Sequence, residues 1–285
     1  MAGYRIPGVL GLQPLASSTR DNEHPYMCQA FPPGPLRGLL DTRPVHAAAT
    51  AGKRPCPHSD DVIKEIAAYM AGEMNRNALS PTTRKIADAN RYDPAEEMRR
   101  WQALPWYAKA GGMPDFYAAA AGAKTTAYGL WAERVGPNRP WDHKPILRAK
   151  MSAAGTFNRG WHKYGAFNYY YDIWSNIHYG YVGRAAGFST AELINGAGVA
   201  QMASDIFAKV IRGKLPDVQK HSENGNWPAS ADDIPDHISI KLGCVIYDKY
   251  KSGGITMDNL LLEISAIPAP WGKGRNFAKE VHQCS

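Results

Sequence analysis

The fold turns on the stretch Tyr171-Asp172-Ile173-Trp174-Ser175-Asn176-Ile177-His178-Tyr179-Gly180-Tyr181. Just before it, Phe157, Trp161, Tyr164, Phe167 and Tyr169 are interspersed with glycine and asparagine, a pattern that predicts a β-hairpin or aromatic loop over Gly155–Tyr171. From Ile173 to Gly187 the apolar spacing becomes helical. The stretch is therefore a junction between a small β element and a helix, with Asp172 at the boundary. If the helix starts just after it, Asp172 is a cap. If the helix includes it, Asp172 and Asn176 share one face and His178 projects elsewhere.

Working outward, helical patterns dominate. Ser59 can cap a helix whose first turn holds Asp60 and Asp61, and Val62, Ile63, Ile66, Ala67, Met70 and Met74 recur at helical spacing through Asn75. Pro94–Trp101 and Pro114–Val135 continue the pattern, and Gly136-Pro137-Asn138-Arg139-Pro140 stops it. A short helix or turn follows over Pro145–Met151. Ser189 with Glu192 three residues later predicts a capping box for a helix running to about Arg212. Residues 213–231 are loop-like, Ile234–Tyr250 is helical up to Gly253-Gly254, and Thr256–Ile264 is a last short helix before a tail rich in Pro and Gly. The fold class is thus mainly α (α+β): a compact helical domain with a small β-hairpin or aromatic loop and an irregular N-terminal arm.

That arm covers residues 1–58, where runs such as Phe31-Pro32-Pro33-Gly34-Pro35 lack apolar periodicity. Its opening residues lack a basic region followed by a long apolar run, so no cleavable secretory signal is expected, and no stretch is apolar enough to span a membrane. The four cysteines Cys28, Cys56, Cys244 and Cys284 form no Cys-x-x-Cys pair, which argues against a structural zinc site. They read as free thiols, with a Cys28–Cys56 bridge open in an oxidising compartment. No metal or cofactor is expected. Lys and Arg exceed Asp and Glu by 33 to 26, and this +7 balance favours polyanionic partners without saying anything of chemistry.

Two places concentrate reactive groups. One is Trp141-Asp142-His143-Lys144-Pro145, after the Pro-rich breaker. The other is the opening stretch, where Asp172, Asn176 and His178 lie among tyrosines. Aromatic walls stack bases or sugar rings, and a histidine beside a carboxylate transfers protons near neutral pH. If the two converge, His143 and His178 would be the acid/base pair of RNA phosphodiester cleavage, with Asp172 orienting one imidazole. Lys144 and Asn176 would then contact the phosphate, and Asp142, Tyr179 and Tyr181 would complete the substrate-binding set. The bland readings stand beside this one: Asp142 and Asp172 as helix caps, and the histidines as buried imidazoles.

The helix carrying Glu73-Met74-Asn75, the Trp141–Pro145 motif, Tyr171–Gly183, Gly187-Phe188-Ser189, Gly196-Ala197-Gly198 with Gln201, and Asp232-Asp233-Ile234-Pro235-Asp236-His237 together resemble the bacterial polymorphic toxin type 44 domain. The resemblance runs from about Asp61 to Ile264, and its matching polar positions are Glu73, Asp142, His143, Lys144, Asp172, Asn176, His178, Gln201, Asp205, Asp233 and Asp236. It implies residues 59–285 as a toxin-type catalytic domain and residues 1–58 as a delivery segment. It further implies an antibacterial effector acting as a metal-independent ribonuclease, delivered into target bacteria with a secretion-system component or chaperone and paired with a cognate immunity protein. Two alternatives remain. Glu73 and Asp172 could form the carboxylate pair of a peptidoglycan glycosidase, although Glu73 also sits at i, i+3 to Arg76. The tyrosine-rich segment could instead belong to a non-catalytic binding domain.

Overall fold

A computed structural model describes residues 59–156, 159–198, 221–224, 226 and 228–283, all within the unit Pro44–Ser285. The helix to Arg212 can be followed only over 190–198, and the loop over 213–231, the N-terminal arm, Cys28, Cys56, Cys284, Gln201 and Asp205 lie wholly or partly outside the described residues.

The central pair of helices comes from the two longest apolar stretches after the breaker. Helix α6 spans Ile173–Ala185 and α8 spans Ile234–Tyr250. Each carries a glycine where the other's backbone arrives. A Cβ on Gly180 would lie 2.1 Å from the Ile240 carbonyl oxygen, and one on Gly243 would lie 2.1 Å from that of Ile177. Only the missing side chains allow such an approach. Contacts advance in the same direction along both helices: Cys244 Sγ reaches the Gly180 carbonyl at 3.7 Å, and Arg184 pairs with Asp248 at 3.2 Å. The helices therefore run parallel, and their N-terminal ends lie side by side.

Around this pair the remaining elements close the core. Helix α1, Ile63–Ala78, buries Ile63, Ile66, Ala67, Met70, Ala71, Met74 and Ala78, the stripe its spacing predicts. It packs on α6 and on α9, Met257–Ala266. Its start differs from the expectation: Val62 precedes it without a side-chain cap. Asp60 and Asp61 turn away from the helix to the β-hairpin instead, where Asp61 accepts the Lys163 amide at 2.6 Å and Asp60 the Gly165 amide at 2.8 Å. Two backbone N–H donors in the hairpin thus outcompete the helix end for these carboxylates.

Helices α2 (Pro81–Asn90), α3 (Pro94–Ala103) and α4 (Phe116–Val135) each follow a side-chain cap, from Ser80, Asp93 and Asp115. Helix α5, Lys144–Ala153, precedes the hairpin of β1 (Trp161–Tyr164) and β2 (Phe167–Tyr170), which pair antiparallel with Trp161 opposite Tyr170. Helix α7, over 190–198 as far as described, starts on the expected capping box: the Ser189 amide donates to Glu192 at 2.8 Å, and the Glu192 amide to Ser189 Oγ at 3.2 Å. Thr256 and Asn259 form a second box at α9.

The C-terminal tail is not irregular. Strands β3 (Gly272–Lys273) and β4 (Asn276–Phe277) form a hairpin, and β5 (Lys279–Val281) adds to β2. Lys279 is buried and donates to the carbonyls of Ser265 and Ile267 at the end of α9, lying over the Tyr169 and Phe167 rings. A cation there satisfies carbonyls the helix leaves open. No described helix is long and apolar enough to cross a membrane.

Candidate active site

The parallel arrangement of α6 and α8 brings two acidic sequence segments together. Asp172 precedes the first residue of α6, and Asp233 that of α8, neither side chain capping its own helix. Asp172 is instead held across the junction by Lys144 at the start of α5, whose Nζ lies 2.9 Å from Oδ1 and 3.0 Å from Oδ2. The cap reading of Asp172 therefore fails, because a fixed ammonium competes better for the carboxylate than the helix amides do. Both helix N-termini also carry partial positive charge, which favours anions at this end.

Asp236, in the first turn of α8, and Asp232, just before it, face the same region. Burial first, and then the neighbouring Asp172 carboxylate, push the Asp236 carboxyl well above the carboxylate range despite Lys144. Asp232 is pushed up to about 7 by burial and by the adjacent Asp233. Burial alone would lower the Lys144 ammonium, but Asp172 and Asp236 more than reverse that. The site thus holds one ion pair beside two carboxyls that retain protons toward neutral pH.

Lys144, Asp232 and Asp236 line a cleft of about 700 Å³, which Asp172 adjoins through Lys144, and its walls include Tyr128, Trp131, Trp141, His178, Tyr179 and Phe188. The aromatic rings support one another: Trp131 meets Trp141, Tyr179 and Phe188 with centroids 5.1 to 5.8 Å apart. On the polar side, Ser175 Oγ, Asn176 Nδ2 and Asp232 Oδ2 are buried without a hydrogen-bond partner.

The structure brings some sequence candidates together and sets others aside. Lys144, Asn176, His178 and Tyr179 line the cleft, and Asp172 adjoins it through its ion pair with Lys144. Asp142 borders the cleft, but its two oxygens accept the backbone amides of Asn138 and Lys144, so it braces the turn before α5. Tyr181 is a core residue whose hydroxyl donates to the Lys251 carbonyl, and it forms no wall of the cleft. Glu73 is held by Arg76 and Asn77, the surface contact its spacing predicts, and is not among the cleft's lining residues.

His143 and His178 do converge, with ring centroids 4.4 Å apart, yet each is only 1 % exposed. His178 Nε2 lies 2.9 Å from Asn77 Nδ2, an arrangement in which the amide donates, and His143 Nδ1 lies 3.1 Å from the Tyr69 hydroxyl. Burial lowers the pKa of both rings, and for His178 the nearby His143 adds to the effect. Burial thus disfavours the protonated form of both rings, which weighs against either as the acid of an acid/base pair. They form a packed joint between α1, α5 and α6, with His178 also lining the cleft beside Trp141. Lys144 lines the cleft too, its ammonium held by Asp172.

What the sequence reading lacked was Asp232, Asp236 and Ser175 as site residues. The signal was there in the acidic run ahead of Ile234, but which residues it faces depends on two helices lying parallel 64 residues apart in sequence. Among the described residues no cluster of His, Cys, Asp or Glu is arranged to hold a metal ion. Cys244 is a free, buried thiol in α8.

Comparison with known proteins covers the same part of the chain. The family model described as Bacterial toxin 44 matches residues 130–249, from the end of α4 to the end of α8. The match is narrower than the Asp61–Ile264 resemblance, and it holds the whole acidic group with most of the aromatic wall while leaving Glu73, Tyr69 and Asn77 outside. No curated protein and no solved structure matches the chain. Residues 130–249, and with them the cleft between α6 and α8, are a bacterial polymorphic toxin type 44 domain.

Proposed function

We propose that this toxin domain is a hydrolase of the glycan strands of peptidoglycan, with Asp236 as general acid and Asp172 as its anionic counterpart. The observation that carries the reading is a pair of unlike carboxyls at one aromatic-walled cleft: Asp236 on its lining, forced toward its protonated form, and Asp172 adjoining it, bound to the lining residue Lys144. Two carboxyls whose environments separate their charge states are what glycoside cleavage uses. Asp236 would give its proton to the leaving glycosidic oxygen as the C–O bond breaks. Asp172 would stabilise the positive charge developing at the anomeric carbon, and water would supply the hydroxyl of the new reducing end.

Substrate charge favours the glycan reading over the ribonuclease alternative. An RNA strand brings a phosphate to the reacting centre, whereas the ammonium at this cleft, Lys144, is paired with Asp172, and Asp232 and Asp236 are carboxyls held toward their neutral forms. A sugar ring brings no charge and stacks on Trp and Tyr faces. The +7 balance of the whole chain and the two helix N-termini favour an anion such as RNA, but the first bears on association more than on chemistry and the second already faces the Asp172 carboxylate. As an effector of this kind the chain would travel to a target bacterium and be blocked at home by an immunity protein.

The test is incubation of the full chain with purified cell-wall sacculi, counting new reducing ends. Asp236→Asn should lower the rate by about 10² to 10⁴-fold, with Asp172→Asn similarly impaired. Intact sacculi with degraded RNA would reverse the order of the two readings.

A further inference from the structure

Three polar atoms at the floor of the cleft have no role in the proton chemistry. Ser175 Oγ, Asn176 Nδ2 and Asp232 Oδ2 are each buried and unpartnered. Ser175 is 9 % exposed and Asp232 is 3 % exposed, so solvent does not satisfy them in place of the protein. Leaving a buried polar atom unsatisfied costs stability, because it loses its hydrogen bonds to water and gains none. Three in one cleft are a standing penalty that a bound ligand can remove. Two of the atoms, a hydroxyl and an amide N–H, can donate. The third, a carboxyl oxygen, accepts.

We infer that Ser175, Asn176 and Asp232 form a subsite that reads the acetamido group of a 2-acetamido sugar. This rests on the glycan reading for its biological substrate but not for its chemistry. An acetamido group has one C=O, which would accept from Asn176 Nδ2 and Ser175 Oγ, and one N–H, which would donate to Asp232 Oδ2. The methyl group would face the aromatic side of the cleft. A plain hydroxyl at the same carbon must both accept and donate through one oxygen, without the separate C=O and N–H positions or the methyl group of the acetamido substituent. Asn176 is one helical turn beyond Asp172 on α6, and Asp232, in extended backbone just ahead of α8, lines the same cleft as Asp236, so the subsite adjoins the reacting carboxyls. A ring fixed there by its acetamido group places its own anomeric carbon near the acid.

The experiment is titration calorimetry of the full chain with fully N-acetylated chitotriose and with cellotriose, which differ in that substituent and are both uncharged. The expected result is at least ~10-fold tighter binding of the acetylated sugar, about one well-placed hydrogen bond's worth. The double variant Ser175→Ala/Asn176→Ala should lose that preference, and circular dichroism with thermal melting checks that it folds. Asp232→Asn, which keeps an acceptor oxygen, should retain most of it. Equal binding of the two sugars, binding of neither, or a preference that survives in the double variant would each overturn the subsite. Selective binding without any cleavage of sacculi would leave the subsite standing and remove the glycosidase reading.

Discussion

Asp232→Asn should stabilise the protein at alkaline pH and do little for it in acid. The carboxyl is buried, its Oδ2 has no partner, and burial with the Asp233 charge raises it to about 7 from 3.8. In the unfolded chain the group returns to its ordinary range. Between those two values the folded state binds a proton that the unfolded state has released, so stability falls as pH rises through this window. At 1.36 kcal/mol per pKa unit, the three-unit difference corresponds to about 4 kcal/mol lost by pH 8. Asparagine has nearly the same shape and no proton to lose. Urea unfolding of both proteins at pH 4.5, 6 and 8 gives the difference in unfolding free energy. That difference should shift toward the variant by about 2 to 4 kcal/mol across the series. Changes in packing add a constant, and the buried histidines, which act in the opposite direction, cancel in the comparison. A difference that does not change with pH would refute the reasoning.

Other consequences follow from the same contacts. Gly243→Ala places a methyl group 2.1 Å from the Ile177 carbonyl oxygen, where backbone and not a flexible side chain must give way; a loss of about 3 kcal/mol or more in urea unfolding is expected, and a change under about 0.5 kcal/mol would contradict the parallel packing. His143, His162 and His178 have folded pKa values depressed by burial, His162 to about 3, so the stability they confer is complete above pH 6.5 and is lost as pH falls toward those values; a melting temperature insensitive to pH from 6.5 to 4 would count against their burial. Lys144→Met leaves Asp172 unpaired and should cost about 1 to 2 kcal/mol, discounted because the Lys144 side chain is 37 % exposed, and a double-mutant cycle with Asp172→Asn measures the coupling.

Much of this fold could be read from the sequence where one element's own residues decided its form. The α1 stripe, the β1–β2 hairpin, the Ser189–Glu192 box and the limits of α8 are local, set by periodicity, glycine and capping chemistry within a few residues. The C-terminal strands were missed because β3 and β4 have two residues each and β5 three, too short for alternation to show; β5 exists because β2 offers it an edge and Lys279 finds carbonyls at the end of α9. The site was half legible for a related reason. Asp172, Lys144 and Asn176 stood out as reactive types, and the two histidines do meet. Sequence could not show that they meet buried against α1, or that Asp236 faces Asp172, because both depend on burial created by helices distant in the chain.

The most direct measurement is to express the full chain in a bacterial host, in the cytoplasm and separately in the periplasm, with wild type beside Asp236→Asn and His178→Gln. The proposal predicts lysis and new glycan reducing ends only from the periplasm. Activity should be abolished by Asp236→Asn and kept by His178→Gln to the extent that the variant folds, as judged by its melting temperature. Growth arrest from the cytoplasm with loss of RNA, retained by Asp236→Asn and abolished by a folded His178→Gln, would contradict it.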